Sequence, residues 1–349
     1  MKYLLTLTLF LILPIELLFA DDWKEILNLR GYWKFNIGDD KSWANTEFND
    51  EDWDNIKVPS SWEDEGYHGY NGFAWYRKSF TLPKNINSNS LYLVLGFIDD
   101  VDEVYLNGKL VGSTGSFPPD FRTAYNANRK YPVSIDQFNK KGENIIAIRI
   151  YDSQLSGGII YGDISIMILD MINMDLKLDG HWKFNIGDNL VWKEPNFNDK
   201  EWTNILVPSN WESQGYKDYD GFAWYRKKFY LDKSFKDKDL VLLLGKIDDI
   251  DQCFVNGTMI GNTGDFLITP ETNVFNNEWL AQRGYYLPKE ILKYGEENLI
   301  AVRVYDGYID GGIYQGPIGL TTQKVYREYW KDKKSKKGFW ETFFDDIMQ

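Results

Sequence analysis

Short runs of alternating or wholly apolar residues, rich in aromatic and β-branched side chains, follow one another along the chain. Examples are Tyr32-Trp-Lys-Phe-Asn36, Phe73 to Leu82, Leu91-Tyr-Leu-Val-Leu95, Val104-Tyr-Leu106 and Ile145-Ile-Ala-Ile-Arg-Ile-Tyr151. A period of two sends successive side chains to opposite faces of an extended backbone, so these runs predict β-strands. Asn107-Gly108 and Asn256-Gly257 predict tight hairpins because both residue types tolerate positive φ, and Gly157-Gly158 and Gly311-Gly312 mark another sharp turn. Helical turns are expected only in short stretches such as Asp50 to Asp54, Ser134 to Asn139 and Lys289 to Lys293. A strand set of this kind closes on itself as an antiparallel β-sandwich of jelly-roll type.

The pattern occurs twice. Gly72-Phe-Ala-Trp-Tyr-Arg-Lys78 returns letter for letter as Gly221-Phe-Ala-Trp-Tyr-Arg-Lys227, and Ile98-Asp-Asp-Val-Asp102 returns as Ile247-Asp-Asp-Ile-Asp251, both at an offset of 149 residues. Arg149-Ile-Tyr-Asp152 matches Arg303-Val-Tyr-Asp306 at 154, so five extra residues lie between Gly264 and Ala301. Units of this length close their own cores, unlike the short repeats of solenoids. The expected fold is all-β, two tandem jelly-roll β-sandwiches covering residues 21–168 and 169–320. Leu169 to Asp179 has no linker-like composition, so the two sandwiches are expected to touch.

Met1 to Ala20 reads as a cleaved signal peptide, a short apolar core interrupted by Pro14 and Glu16, which implies a secreted or periplasmic protein with no membrane attachment after cleavage. Residues 321–349 are expected to be a solvated tail with a frayed amphipathic helix. A formal charge of −13 argues against nucleic acid and anionic membranes as partners. The single Cys253 excludes an internal disulfide, and two His residues leave little room for histidine-based metal sites or catalysis. Aromatics are 17% of residues, with 14 Trp and 23 Tyr. Flat aromatic faces stack on sugar rings while their polar tips bond sugar hydroxyls, although most such residues in a sandwich belong to the core.

Val58-Pro-Ser-Ser-Trp-Glu63, Tyr70-Asn-Gly-Phe-Ala-Trp-Tyr-Arg-Lys-Ser-Phe80, Ile98 to Gly108 and Glu143 to Tyr151 with Gly157-Gly-Ile159 resemble the galactose-binding-like jelly roll of glycoside hydrolase family 2, the sugar-binding domain of β-galactosidases. The Ile-Asp-Asp wording is also similar to modules of sialate O-acetylesterases. The resemblance covers roughly residues 25 to 320 and implies carbohydrate as the partner, together with a glycan-processing enzyme as a candidate partner. In catalytic relatives a separate domain holds the acid and nucleophile; the sandwiches occupy nearly the whole mature chain, so the expected function is non-catalytic carbohydrate binding. The rival is a glycan-acting hydrolase, of β-galactosidase or O-acetylesterase type, or a docking subunit for one.

The candidate ligand residues lie mainly in the loop before the repeated heptapeptide, Trp62, Tyr67 and Tyr70 with their counterparts Trp211, Tyr216 and Tyr219. Asp100 and Asp249 belong to acidic clusters, Asp99/Asp100/Asp102 and Asp248/Asp249/Asp251, that read first as turn or strand support. Contacts to a ligand or to a structural Ca²⁺ are the second reading and catalysis the third; no other cofactor is expected. Asp163 faces substrate by resemblance, whereas Pro317 stands at its place in the second copy. Arg77 and Arg226 sit mid-strand and need carboxylate partners, for which the acidic clusters are the expected source. No Gly-x-Ser-x-Gly elbow occurs, and Tyr151-Asp-Ser153 lacks the surroundings of a serine nucleophile. Asn256-Gly-Thr258 fits a glycosylation sequon, but Asn-Gly reads first as a turn.

Overall fold

The computed structural model describes residues 23–348 apart from 268 and 273, with side chains described up to residue 335. The predicted signal peptide, residues 1–20, lies outside the described residues. The first copy contains β1 (Trp23–Asn28), β2 (Gly31–Ile37), β3 (Asp54–Val58), β4 (Gly72–Thr81), β5 (Ser90–Asp99), β6 (Val101–Leu106), β7 (Lys109–Thr114), β8 (Asn128–Ser134), β9 (Glu143–Asp152) and β10 (Gly158–Leu169). The second repeats the series with β11 (Leu176–Lys177), β12 (Gly180–Ile186), β13 (Thr203–Val207), β14 (Gly221–Leu231), β15 (Leu240–Asp248), β16 (Ile250–Val255), β17 (Thr258–Thr263), β18 (Gln282–Leu287), β19 (Glu296–Asp306) and β20 (Gly312–Thr322). A single turn, α1 (Thr269–Thr272), a terminal helix, α2 (Gln323–Met348), and short 3₁₀ turns, among them the expected ones at Ile135–Gln137 and Lys289–Ile291, complete the described elements.

Each copy is a sandwich of a four-stranded sheet on a six-stranded one. The orders are β1-β10-β5-β8 and β3-β2-β4-β9-β6-β7, repeated as β11-β20-β15-β18 and β13-β12-β14-β19-β16-β17. The hairpins fall where expected: Asn107 and Gly108 turn β6 into β7 with φ of 49° and 79°. Asn256 and Gly257 do the same between β16 and β17.

The heptapeptide strand β4 pairs with β9 over its whole length and is covered on both faces. Ala74, Tyr76 and Phe80 enter the sandwich core beside Trp33, Phe35 and Ile148. Trp75 points outward into a second cluster with Trp43, Trp53 and Ala147, built by the segment between β2 and β3 that folds back over the sheet. Arg77, also on that outer face, is 1% exposed and donates Nε to Asp50 at 2.7 Å. It also donates to the carbonyls of Trp43 and Asn45. Arg226 repeats this with Asp199 at 2.7 Å. The expected partner is thus corrected: Arg77 and Arg226 bind the wrapped segment, and of the acidic clusters only Asp102 and Asp251 pair with an arginine, Arg129 and Arg283 respectively. Wrapping satisfies a guanidinium that would otherwise be buried without acceptors.

The two sandwiches touch. Asp179 accepts the backbone N–H groups of Asn89 at 3.0 Å and Ser90 at 2.7 Å, fastening the start of the second copy to the edge of the first. The tail differs from its expectation, because α2 begins directly after β20 and its first turns dock: Val325, Tyr326 and Tyr329 pack against Ile172, Val241 and Leu243. No helix among the described residues is long and apolar enough to cross a membrane. Asn256 Nδ2 donates to Ile291 O and Asn298 Oδ1, both at 2.8 Å, so the sequon side chain is occupied in turn support.

Candidate functional site

Trp62 and Trp211 are fully buried, which corrects the expectation that they offer stacking faces. Each indole donates Nε1 to a carbonyl across its own loop, Trp62 to Tyr70 and Trp211 to Tyr219, at 3.1 Å in both copies. Tyr67 stands edge-on to Phe35 with ring centroids 4.6 Å apart and donates its hydroxyl to Asp54; Tyr216 packs on Phe184 and bonds Thr203. Tyr70 and Tyr219 donate to the carbonyls of Phe73 and Phe222 at 2.7 Å. These six residues close one end of each sandwich. Gly157 and Gly311 are the counterpart of that closure, since a Cβ on either would come within 2.0 Å and 2.1 Å of the indole of Trp62 and Trp211 respectively.

Behind the buried tryptophans, loops converge on three aspartates. Asp99 and Asp100 sit where β5 passes into β6, and Asp152 ends the neighbouring β9; one carboxylate oxygen of each lies within 4.8 Å of the others. Asp248, Asp249 and Asp306 repeat the group. Asp100 accepts the hydroxyl of Thr123, and Ser153 donates to it through N at 3.0 Å and Oγ at 2.8 Å. Burial works against the charge of Asp100, but these donors outweigh it and hold its pKa below the ordinary value. Burial first, then the bond and charge of Asp100, push Asp99 up to about 7, and burial pushes Asp152 up to about 6.

In the second copy Asp249 accepts the N–H of Gly307 at 3.1 Å. Burial, with the charges of Asp249 and Glu212, raises Asp306 to about 8; Asp248 is pushed well above the carboxylate range by burial and by Asp249. Asp102 and Asp251 point away into buried triads. Arg129 Nε meets Asp102 at 2.8 Å and Arg283 Nε meets Asp251 at 2.9 Å, with Tyr131 and Tyr285 hydroxyls donating at 2.6 Å. Asp163 stands elsewhere, exposed and ion-paired with Arg30 at 3.2 Å.

A cleft of about 730 Å³ opens between the two sandwiches. Its first wall carries Arg122, Asn128, Lys130 and Tyr131, and its second carries Asn210, Glu212, Ser213, Lys217, Asp218, Asp310 and Tyr314. The aromatic and acidic residues singled out from sequence do not line it, but the loop that carries Trp211, Tyr216 and Tyr219 does, through Glu212, Ser213, Lys217 and Asp218. The signal for it was obscure, because its two walls come from segments more than seventy residues apart, but Asp152 and Asp306 were legible as the last letters of a repeated Arg-x-Tyr-Asp.

The fold and these loop ends define a pair of all-β accessory domains. Residues 38–155 and 187–326 both match the family described as the β-galactosidase second all-beta domain, and the chain belongs to that family. β-Galactosidase BoGH2A of Bacteroides ovatus is 24% identical over 176 residues, 46% of this chain and 18% of that protein. A β-glucuronidase of Formosa agariphila is 29% identical over 104 residues, 26% of this chain and 11% of its own length. The chain thus spans only 11% to 18% of the length of the curated relatives it matches. The crystal structure of Bacteroides uniformis β-glucuronidase superposes on 83% of this chain and 28% of that one, at 16% identity and a TM-score of 0.36.

Proposed function

We propose that this chain is an exported glycan-binding accessory protein that holds an oligosaccharide in the cleft between its jelly rolls without cleaving it. The observation that carries the reading is the cleft itself. Its volume of about 730 Å³ lies within the roughly 300–1,000 Å³ of small-ligand sites. Its walls offer amide, hydroxyl and charged groups of both signs with tyrosine rings beside them, which is a lining suited to polyhydroxylated neutral rings. The relatives bear the names of glycosidases acting on galactosides and glucuronides, which supports sugars as the ligand class.

A hydrolase would need two carboxyls working on one bond. Glu212, Asp218 and Asp310 all line the cleft on its second wall, but Glu212 Oε1 accepts Gly311 N at 3.0 Å, as Glu63 Oε2 accepts Gly157 N at 3.1 Å. A bond present in both copies supports the turn, and we assign Glu212 that role.

Calorimetric titration of the full chain with a panel of plant and bacterial oligosaccharides tests the proposal. Binding with one ligand per chain is expected, weakened at least about tenfold by a combined Asn128→Ala and Lys217→Ala variant, which is the loss of two hydrogen-bonding side chains at a site. Failure of every glycan to bind the folded chain, or release of reducing sugar on incubation, overturns it.

A further inference from the structure

Asp152 and Asp306 are fully buried, and their surroundings provide for only half of each carboxylate. Oδ1 accepts a backbone N–H, from Gln154 at 3.1 Å in the first copy and from Tyr308 at 3.3 Å in the second. Oδ2 is buried in both and accepts no hydrogen bond. A buried carboxylate oxygen without a donor loses its hydration and gains nothing in return, so a case that recurs in both copies calls for a partner. Two further carboxylates face the same point, one oxygen from each of Asp99, Asp100 and Asp152 lying within 4.8 Å of the others, and likewise for Asp248, Asp249 and Asp306.

The nearest guanidinium groups do not neutralise these trios. Arg129 gives Nε to Asp102, Nη1 to the carbonyls of Ala124 and Ala127, and Nη2 to the carbonyl of Asp100 at 3.0 Å. Arg283 repeats the arrangement with Asp251, Glu278, Ala281 and the carbonyl of Asp249 at 2.7 Å. In both copies the arginine is bound to the main chain of the Asp-Asp segment and not to its carboxylates.

We propose that each jelly roll binds one Ca²⁺ ion through this trio, Asp99, Asp100 and Asp152 in the first copy and Asp248, Asp249 and Asp306 in the second. The donor set is all oxygen, without His or Cys, which selects a hard cation over zinc. The carboxylates come from two separate strand ends and leave coordination positions for carbonyls or water. That suits the six to eight loosely arranged oxygens of Ca²⁺ better than the strict octahedron of Mg²⁺. The ion ties the β5–β6 corner to the end of β9, and the β15–β16 corner to the end of β19, at the end of the sandwich that carries the longest loops. The second site is the tighter one. Asp100 is hydrogen-bonded by Thr123 and Ser153, whereas Asp249 accepts Gly307 N and lacks a hydroxyl at the position of Ser153.

Titration of the chelator-stripped full chain with CaCl2, followed by calorimetry and by thermal unfolding, tests this. Two ions per chain in two affinity classes, with Tm rising as CaCl2 is added, are expected. Asp306→Asn should abolish the tighter class and leave one ion per chain, and Asp152→Asn should abolish the weaker. The remaining site in each variant reports that the chain is folded. If either variant loses its near-UV circular dichroism, the wild-type stoichiometry and Tm shift decide alone. No heat and no Tm shift in the wild type, or two ions retained in both variants, overturns the proposal.

Discussion

The two jelly rolls share a scaffold down to individual hydrogen bonds and part company at one end. Arg77 with Asp50 matches Arg226 with Asp199, the Arg129–Asp102–Tyr131 triad matches Arg283–Asp251–Tyr285, and Arg149 with Asp39 matches Arg303 with Asp188. At the loop end, by contrast, residues 115–127 between β7 and β8 answer to residues 264–281 between β17 and β18, and that longer loop takes all five extra residues and carries α1. Ser153 becomes Gly307, Asp163 becomes Pro317, and burial raises Asp306 to about 8 where it raises Asp152 to about 6. Loop tips tolerate such change because they add little to the buried core, and they carry the ligand contacts. The pair therefore looks like one scaffold with two differently tuned ends.

The largest expected effect probes the shared part. Asp102→Ala and Asp251→Ala each leave a buried guanidinium without its carboxylate, and each should cost about 3–5 kcal/mol of its domain's stability in denaturant unfolding. Equal losses would affirm an identical scaffold, and a difference above about 1.4 kcal/mol, a tenfold change in the folded fraction, would break the comparison there. Next come Gly157→Ala and Gly311→Ala. Either Cβ meets an immobile indole at about 2 Å, so a loss of roughly 1–3 kcal/mol is expected in each copy. A loss confined to one copy would show that its closing tryptophan can yield.

The smallest effect concerns the divergent end. Burial, reinforced by the charge of Asp310, raises Glu212 from 4.5 to about 8. The folded chain then holds this proton more tightly than the unfolded chain. The contribution to stability is complete below about pH 4.5 and is lost as pH rises through about 8. Thermal unfolding from pH 5 to 9 should show this decline together with those of Asp152, Asp99 and Asp306, and Glu212→Gln, which keeps an acceptor for Gly311 N, should make it shallower. An unchanged slope in the variant would assign the decline to other groups.

Much of the scaffold was legible because strand period, turn residues and duplication are local or repeated signals. The Asn-Gly hairpins and the doubled Ile-Asp-Asp could be read as letters. What Trp62 and Trp211 do could not, because a tryptophan in an irregular, acid-rich loop has the same appearance whether it lies open to a sugar or seals a core. The partner of Arg77 was misread for a related reason: Asp50 lies in a segment whose wrapping over the outer face of β4 leaves no periodic trace.

The sequence by itself determined that this is a duplicated all-β protein, since alternation and turn chemistry act over a few residues and recur intact. Only the tertiary structure decided which aromatics are buried, which acids share a point, and that a polar cleft joins the copies. Those features are made by residues far apart in the chain, brought together by sheet packing whose outcome no single stretch encodes.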